Sequence, residues 1–440
     1  MRMSPGMALA LALLIAGTLG CGRVDSLEAC DILKAECQED AYYAVVRMRG
    51  DGFDPFGGVP PIRTISLEEY RASLEDDEPE APEPEEPDDE EPEEPADTRS
   101  PRSRAFDTAL SMLGLLSPTT TSSQAAVDDA VGNVVAYYSG STGAVTVIDR
   151  GGERRFEREC STLVHELIHA FQSREPPIGY TDGTVDDTFA RRGLIEGEAE
   201  LYEQLSISEM RDVAPVKLKW DEFYEDWLAG SRRRLGNARQ PYFSVSRGFA
   251  YPLGGHRLVG AWLEGGNALV RSLFDDRPRT SHFFMSLGTG VERREAVPTS
   301  CPSDPPNGDM QSLILDRFGA AQLYAFLTVQ LEDDPLAWEQ ALGWRGDALR
   351  IYGDEDAEQV ALSWRVLLDD ADKASLLEDV LEQAQQEATA EAEMAEDEGD
   401  DDPPLKLGIY KATAEGEYLV IQAATEAELL DGWRDGFGCN

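Results

Sequence analysis

The sequence predicts an α+β protein: a mostly helical region entered through a small β-hairpin, followed by a C-terminal subdomain of order ββαββα. Three observations predict it. Two β-rich runs, Val134 to Tyr138 and Ala144 to Ile148, flank the turn-forming Ser139-Gly140-Ser141-Thr142-Gly143. From about Phe156 apolar residues recur at helical spacing, and Glu-rich and aromatic helices follow near Arg192 to Met210, around Trp220 to Trp227, after Tyr251 and after Ala320. The last hundred residues return to strand-like runs at Ala348 to Tyr352, Val360 to Leu367, Lys406 to Lys411 and Tyr418 to Gln422. A helix from Ala371 to about Gln385 separates the two pairs, and residues 425 to 434 close the subdomain as a helix.

The chain opens with Arg2, an apolar run from Met7 to Ala16 and small residues ending in Thr18-Leu19-Gly20-Cys21, the pattern of a bacterial export signal over 1–21. The run is short for a membrane span. Gly20-Cys21 resembles the cleavage and lipidation point of bacterial lipoproteins, which implies a lipid on Cys21 as the only membrane contact, in the cell envelope. Thr18 stands where that motif usually carries an aliphatic residue, so a secreted form is the alternative. Export implies an oxidising compartment in which Cys30, Cys37, Cys301 and Cys439 can form bridges, whereas Cys160 falls in an amphipathic helix as a buried thiol. On one unbroken helix Cys30 and Cys37 would stand roughly 10 Å apart, so a bridge between them requires a bend.

Residues 22–74 form a short N-terminal segment with a helical stretch near Leu27 to Arg47. Residues 75–104 are a linker of Glu, Asp and Pro that cannot bury apolar area and is expected to stay extended as a solvated spacer. A catalytic region over 105–335 and the α+β subdomain over 336–440 follow, the latter with an acidic disordered insert at 386–404. The formal charge is −46, but residues 75–95 hold 14 acids and residues 382–402 hold 10. Outside these tracts 39 basic residues face 61 acidic ones, the balance of a soluble acidic surface. Nucleic acid and anionic lipid are not the partners expected of such a charge.

His165-Glu166-Leu167-Ile168-His169 is an H-E-x-x-H sequence. Residues four apart share a helical face, so two imidazoles can converge on one ion. The chain has 4 histidines, and a chance match is expected on the order of once in several hundred chains of this composition. At about 100° per residue, Phe156, Cys160, Leu163, Val164, Leu167 and Phe171 fall on one side of the helix and the two histidines on the other. Downstream, Gly193-Leu194-Ile195-Glu196-Gly197-Glu198-Ala199-Glu200 offers carboxylates on a second helix. Catalytic zinc takes three protein ligands and leaves one position to water, so two histidines and one glutamate complete a site. Glu196 is the expected third ligand, with Glu200 on the same face as the acceptor that orients an imidazole. Glu198 points about 200° away among leucines, as a paired buried carboxylate or as the ligand of a shifted helix phase.

His165 to His169 with Ala170-Phe171-Gln172, followed by Glu196-Gly197-x-Ala199, resembles the gluzincin-type zinc metallopeptidases. Val135 to Tyr138, the Gly-rich stretch from Tyr251 to Gly266, and Gly343-Trp344-Arg345-Gly346-Asp347 extend the resemblance to a little-characterised family of exported bacterial gluzincin-like proteins, over roughly residues 130–440. The resemblance implies a zincin-like catalytic domain holding one zinc ion on His165, His169 and Glu196, with Glu166 as general base. A peptide or protein is then the substrate, its extended backbone paired against Ala144 to Ile148 or the hairpin partner of that strand. Tyr251 and His256 are the candidate donors to a developing oxyanion. His282 and the tryptophans read as packing residues. No G-x-S-x-G elbow, phosphate loop, C-x-x-C pair or dinucleotide fingerprint occurs. The competing reading is a catalytically inactive lipoprotein that keeps the fold for binding or assembly, against which the intact Glu166 argues.

Overall fold

The computed structural model describes residues 27–50, 54–75, 99–151, 155–175, 183–300, 305–331, 333–398 and 409–433. The export signal with Cys21, the acidic tract over 76–98, Cys301 and Cys439 lie outside the described residues. In chain order the elements are α1 (Ala35–Arg49), β1 (Ile62–Ser66), α2 (Leu67–Glu75), α3 (Pro101–Met112), α4 (Ser122–Asn133), β2 (Ala136–Ser139), β3 (Ala144–Asp149), α5 (Phe156–Gln172), α6 (Val185–Met210), α7 (Trp220–Leu235), α8 (Pro241–Gly248) and α9 (Ala250–Asp275). There follow α10 (Ser281–Met285), β4 (Gln311–Asp316), α11 (Gly319–Leu331), α12 (Asp334–Leu342), β5 (Trp344–Gly353), β6 (Val360–Leu368), α13 (Ala371–Glu398), β7 (Ile409–Glu415), β8 (Tyr418–Ala424) and α14 (Ala427–Gly432). The architecture is α+β, with two separate sheets among the described residues.

The hairpin forms as β2 and β3, antiparallel, with Tyr138 opposite Val145. A third strand, β1, pairs parallel to β3 from the far side, giving the order β1-β3-β2. The sequence did not announce β1, because a parallel partner needs no local turn. β3 is therefore the inner strand, buried from Ala144 to Ile148, and β1 and β2 are the edges, β2 packing on α5.

The N-terminal segment packs α1 on α5. Cys30 and Cys37 are disulfide-bonded with Cα atoms 5.6 Å apart. The required bend is present: Lys34 N–H donates to Asp31 O at 2.9 Å, and the helix starts only at Ala35, so Cys30 lies off it. At the other end of α1, Arg49 is buried over the Phe171 ring and reaches Glu175 and Glu198. The C-terminal end of the segment expected as a linker, residues 99–104, lies among the described residues. Ser100 caps α3, with Pro101 at its first position, so residues 99–104 already belong to the fold.

α5 departs from a simple two-faced helix. Phe156, in its first turn, is 44% exposed. Beyond it the apolar face is buried as expected, and the histidine face is covered as well, since α6 and β2 both pack on α5. α6 in turn lies against α9 at backbone contact. A Cβ on Gly197 would stand 2.6 Å from the Gly254 carbonyl carbon, and one on Gly254 would stand 2.1 Å from the Gly193 oxygen. Glycine is required on both helices because no side chain fits in that gap.

The C-terminal sheet is antiparallel in the order β4-β5-β6-β8-β7. β5, β6, α13, β7, β8 and α14 follow the expected ββαββα order, but the edge strand β4 comes from before residue 335. One buried apolar cluster runs from α1 to β8, so the expected boundary at 335/336 does not divide two cores. The insert expected to be disordered from residue 386 continues α13 to Glu398, consistent with the high helix propensity of its Ala and Glu residues. No described helix is long and apolar enough to cross a membrane.

Asp347 joins the parts of this region. Its carboxylate, 4% exposed, accepts from the indole N–H groups of Trp344 and Trp364, each at 2.9 Å. It also accepts from the backbone N–H of Phe318 (2.8 Å) and Gly319 (2.9 Å), capping α11 from another element. Burial raises its pKa, and these four donors oppose the rise. Removing the acceptor strands buried donors. Asp347→Ala is expected to destabilise the protein by roughly 4 kcal/mol in denaturant titrations, and Asp347→Asn, which keeps one acceptor oxygen, by less.

Candidate metal centre

α5 and α6 build the site from facing turns. His165 Nε2 stands 3.4 Å and His169 Nε2 3.3 Å from the same atom, Oε2 of Glu196. The two imidazoles are 4.8 Å apart, centroid to centroid, and nearly perpendicular. The Nδ1 atoms are held from behind: that of His165 lies 3.1 Å from Glu203 Oε2, and that of His169 lies 2.9 Å from the amide oxygen of Gln172. Both partners are acceptors, so Nδ1 carries the proton in each ring and the Nε2 lone pairs face Glu196. Glu196 Oε2 is buried and has no hydrogen-bond partner, while its Oε1 lies 3.4 Å from Arg192. Two lone pairs and an orphaned carboxylate oxygen that lie within 4.8 Å of one another are the donor set of a divalent cation. The residues fit the zinc implied by the sequence resemblance.

The electrostatics are those of a dry cluster. Burial acts to lower both imidazole pKa values, but Glu196, helped at His165 by Glu203, outweighs it and raises them. Burial acts to raise Glu196, but the neighbouring His165 and His169 and the charge of Arg192 hold it well below the usual carboxylate range. Glu166 is buried beside the histidines, and its Oε2 accepts from the Tyr138 N–H at 2.9 Å. Burial raises its pKa, against the pull of the two imidazoles. The edge strand β2 thus orients the carboxylate of the motif through its own backbone.

The remaining expected residues fall in different places. Tyr251, in the first turn of α9, stacks on His165 at 5.9 Å between centroids and lies beside Arg192. Burial and the charge of Glu196 raise its pKa, so the phenol keeps its proton. His256 is directed elsewhere: its Nε2 is 2.9 Å from Asp221 and its ring stacks on Tyr224, both on α7. Five residues rotate a helix position by about 140° relative to Tyr251, which turns His256 to the other side of α9. Glu198, 2% exposed, accepts from Gln172 Nε2 at 2.9 Å and lies 3.5 Å from Arg49, so it is a paired buried carboxylate. His282 packs on Trp344, its Nε2 2.9 Å from Leu342 O, with burial pushing its pKa down to about 4.

Glu200 does not orient an imidazole. It accepts from Gln204 at 2.8 Å, and burial together with the neighbouring Glu203 pushes its pKa up to about 8. Glu203 takes the expected role, because seven residues bring a helix position back to within about 20° of Glu196, whereas four leave it about 40° away. Glu203 and Gln172 are the site residues that sequence reasoning missed. The i+7 spacing of Glu203 was a usable signal; nothing marked Gln172 beyond its position three residues after His169.

A family model described as a domain of unknown function (DUF8575) matches residues 312–434. The matched segment begins in β4 and ends just beyond α14, so it coincides with the five-stranded sheet and its helices and excludes the His-Glu cluster. No curated protein matches the chain, and no solved structure does.

Zinc titrations with a competing chelator test the ligand set. Glu196→Ala is expected to weaken binding far more than Glu198→Ala; the reverse order would move the third ligand to Glu198. Glu203→Ala is expected to cost about 10- to 100-fold in affinity, the usual effect of losing the acceptor behind a ligating imidazole.

Proposed function

We propose that the protein is a zinc-dependent peptidase in which His165, His169 and Glu196 hold one zinc ion and Glu166 is the general base. The observation that carries the reading is the orientation of three donor atoms, His165 Nε2, His169 Nε2 and Glu196 Oε2, toward one point, with no fourth ligand in the group among the described residues. A structural zinc site would be closed by a fourth ligand. Zinc bound there supplies Lewis-acid polarisation of the scissile carbonyl and a water of lowered pKa.

The chain's own residues do the rest. Glu166, with one oxygen fixed by the Tyr138 N–H, accepts the proton of the attacking water and passes it to the leaving amine. Its desolvated setting raises its proton affinity above that of an ordinary glutamate, which suits both halves of the transfer. Tyr251, protonated and stacked beside His165, is the donor to the developing oxyanion. His256 has no part in this scheme, since Asp221 and Tyr224 engage it. The edge strand β2, rather than the inner strand β3, is where an extended substrate backbone pairs, through backbone groups other than the Tyr138 N–H that Glu166 holds. The zincin-like resemblance of the motif and of Glu196-Gly197-x-Ala199 points the same way. Export, with lipidation at Cys21, is part of the proposal, and the Cys30–Cys37 disulfide is consistent with an oxidising compartment.

Elemental analysis of the purified protein is expected to give about one zinc per chain. Glu166→Gln should retain the metal and abolish cleavage of a mixed peptide library. Equal cleavage by the two proteins would refute the peptidase reading, and absence of cleavage by either would favour a binding module. Tyr251→Phe is expected to lower kcat by about 10²-fold, with little change in zinc content, if its hydroxyl donates to the oxyanion.

A further inference from the structure

Three sulfur atoms meet where the N-terminal segment crosses the metal-bearing helix. Cys160 Sγ, on the second turn of α5, lies 3.9 Å from Cys30 Sγ of the Cys30–Cys37 disulfide. Cys160 is fully buried and Cys37 is 3% exposed. Cys30 is half-buried. A disulfide spans about 2.05 Å between sulfurs, so Cys160 needs to close only about 2 Å to bond Cys30. Cys37 is then the only leaving group. The thiol sits on the same helix as His165, five residues before it.

We propose that Cys160 is an exchange thiol for the Cys30–Cys37 disulfide, moving the cross-link from within the N-terminal segment to a bond between that segment and the metal-bearing helix. Cys160 gives its proton to a solvent base, and the thiolate sulfur bonds Cys30 Sγ. The Cys30–Cys37 bond breaks, and Cys37 departs as a thiolate that takes up a proton. One disulfide and one thiol are present before and after, so the step needs neither oxidant nor reductant. Burial pushes the Cys160 thiol up to about 11, which keeps it as a thiol in the resting protein and makes the exchange slow. The product ties the segment that carries the expected lipid attachment at Cys21 directly to α5. This inference stands on the sulfur geometry and does not require the peptidase reading.

Trypsin separates all three cysteines, because Lys34 divides peptide 24–34 from 35–47 and Arg158 and Arg174 bound 159–174. The full chain is incubated without redox reagent, quenched in acid, labelled with N-ethylmaleimide and mapped without reduction. The expected result is a growing fraction in which 24–34 is linked to 159–174 and the label appears on 35–47, with no such transfer in Cys160→Ser. In Cys37→Ser, treatment with oxidised glutathione is expected to link 24–34 to 159–174 directly. The proposal is overturned if Cys37→Ser yields only a glutathione adduct on Cys30 with Cys160 still free, or if the label in the unaltered chain never leaves 159–174.

Discussion

Charge balance in the seam between α5 and α6 is the constraint on which the rest of the structure turns. His165, Glu166, His169, Glu196, Glu200 and Glu203 are all placed there with little access to water. Four carboxylates against two imidazoles cannot be buried as bare ions. The fold answers with particular partners: the Tyr138 N–H for Glu166, Arg192 for Glu196, the two Nδ1–H groups, and a retained proton on Glu200. What these leave unanswered is concentrated at one oxygen of Glu196, between two imidazole lone pairs. A divalent cation is the simplest species that satisfies all three groups at once.

Helix spacing sets where those groups sit. Backbone contact between α6 and α9, possible only because Gly197 and Gly254 lack side chains, places Tyr251 against His165 and fixes the plane from which Glu196 reaches α5. In the Glu196-Gly197-x-Ala199 element the glycine therefore has a mechanical part as definite as that of the glutamate. Glu198, one residue further on, is committed to Arg49 and Gln172.

The motif itself was legible because its information is local: two histidines four residues apart share a face whatever surrounds them. The hairpin, the helices and the order of the C-terminal strands were legible for the same reason. Glu203, Gln172 and the placement of His256 were not read correctly, since each depends on how two helices cross or on a rotation compounded over several residues. β1 escaped notice because it joins by parallel pairing at long sequence distance. The start of the C-terminal unit was misplaced because β4 is separated from β5 by α11 and α12, and only the sheet register and the family match over residues 312–434 bring it across.

Within that unit Asp347 binds the start of α11 to two strands through a single carboxylate. An attachment shared in this way has no intermediate setting. Lifting α11 takes two of the four donors from the buried carboxylate on β5, and parting β6 from β5 takes the Trp364 indole, so whichever element loosens first weakens the hold on the others. The sheet and its covering helix thus behave as one cooperative piece, a firm base beside a histidine–glutamate cluster assembled from separately held side chains.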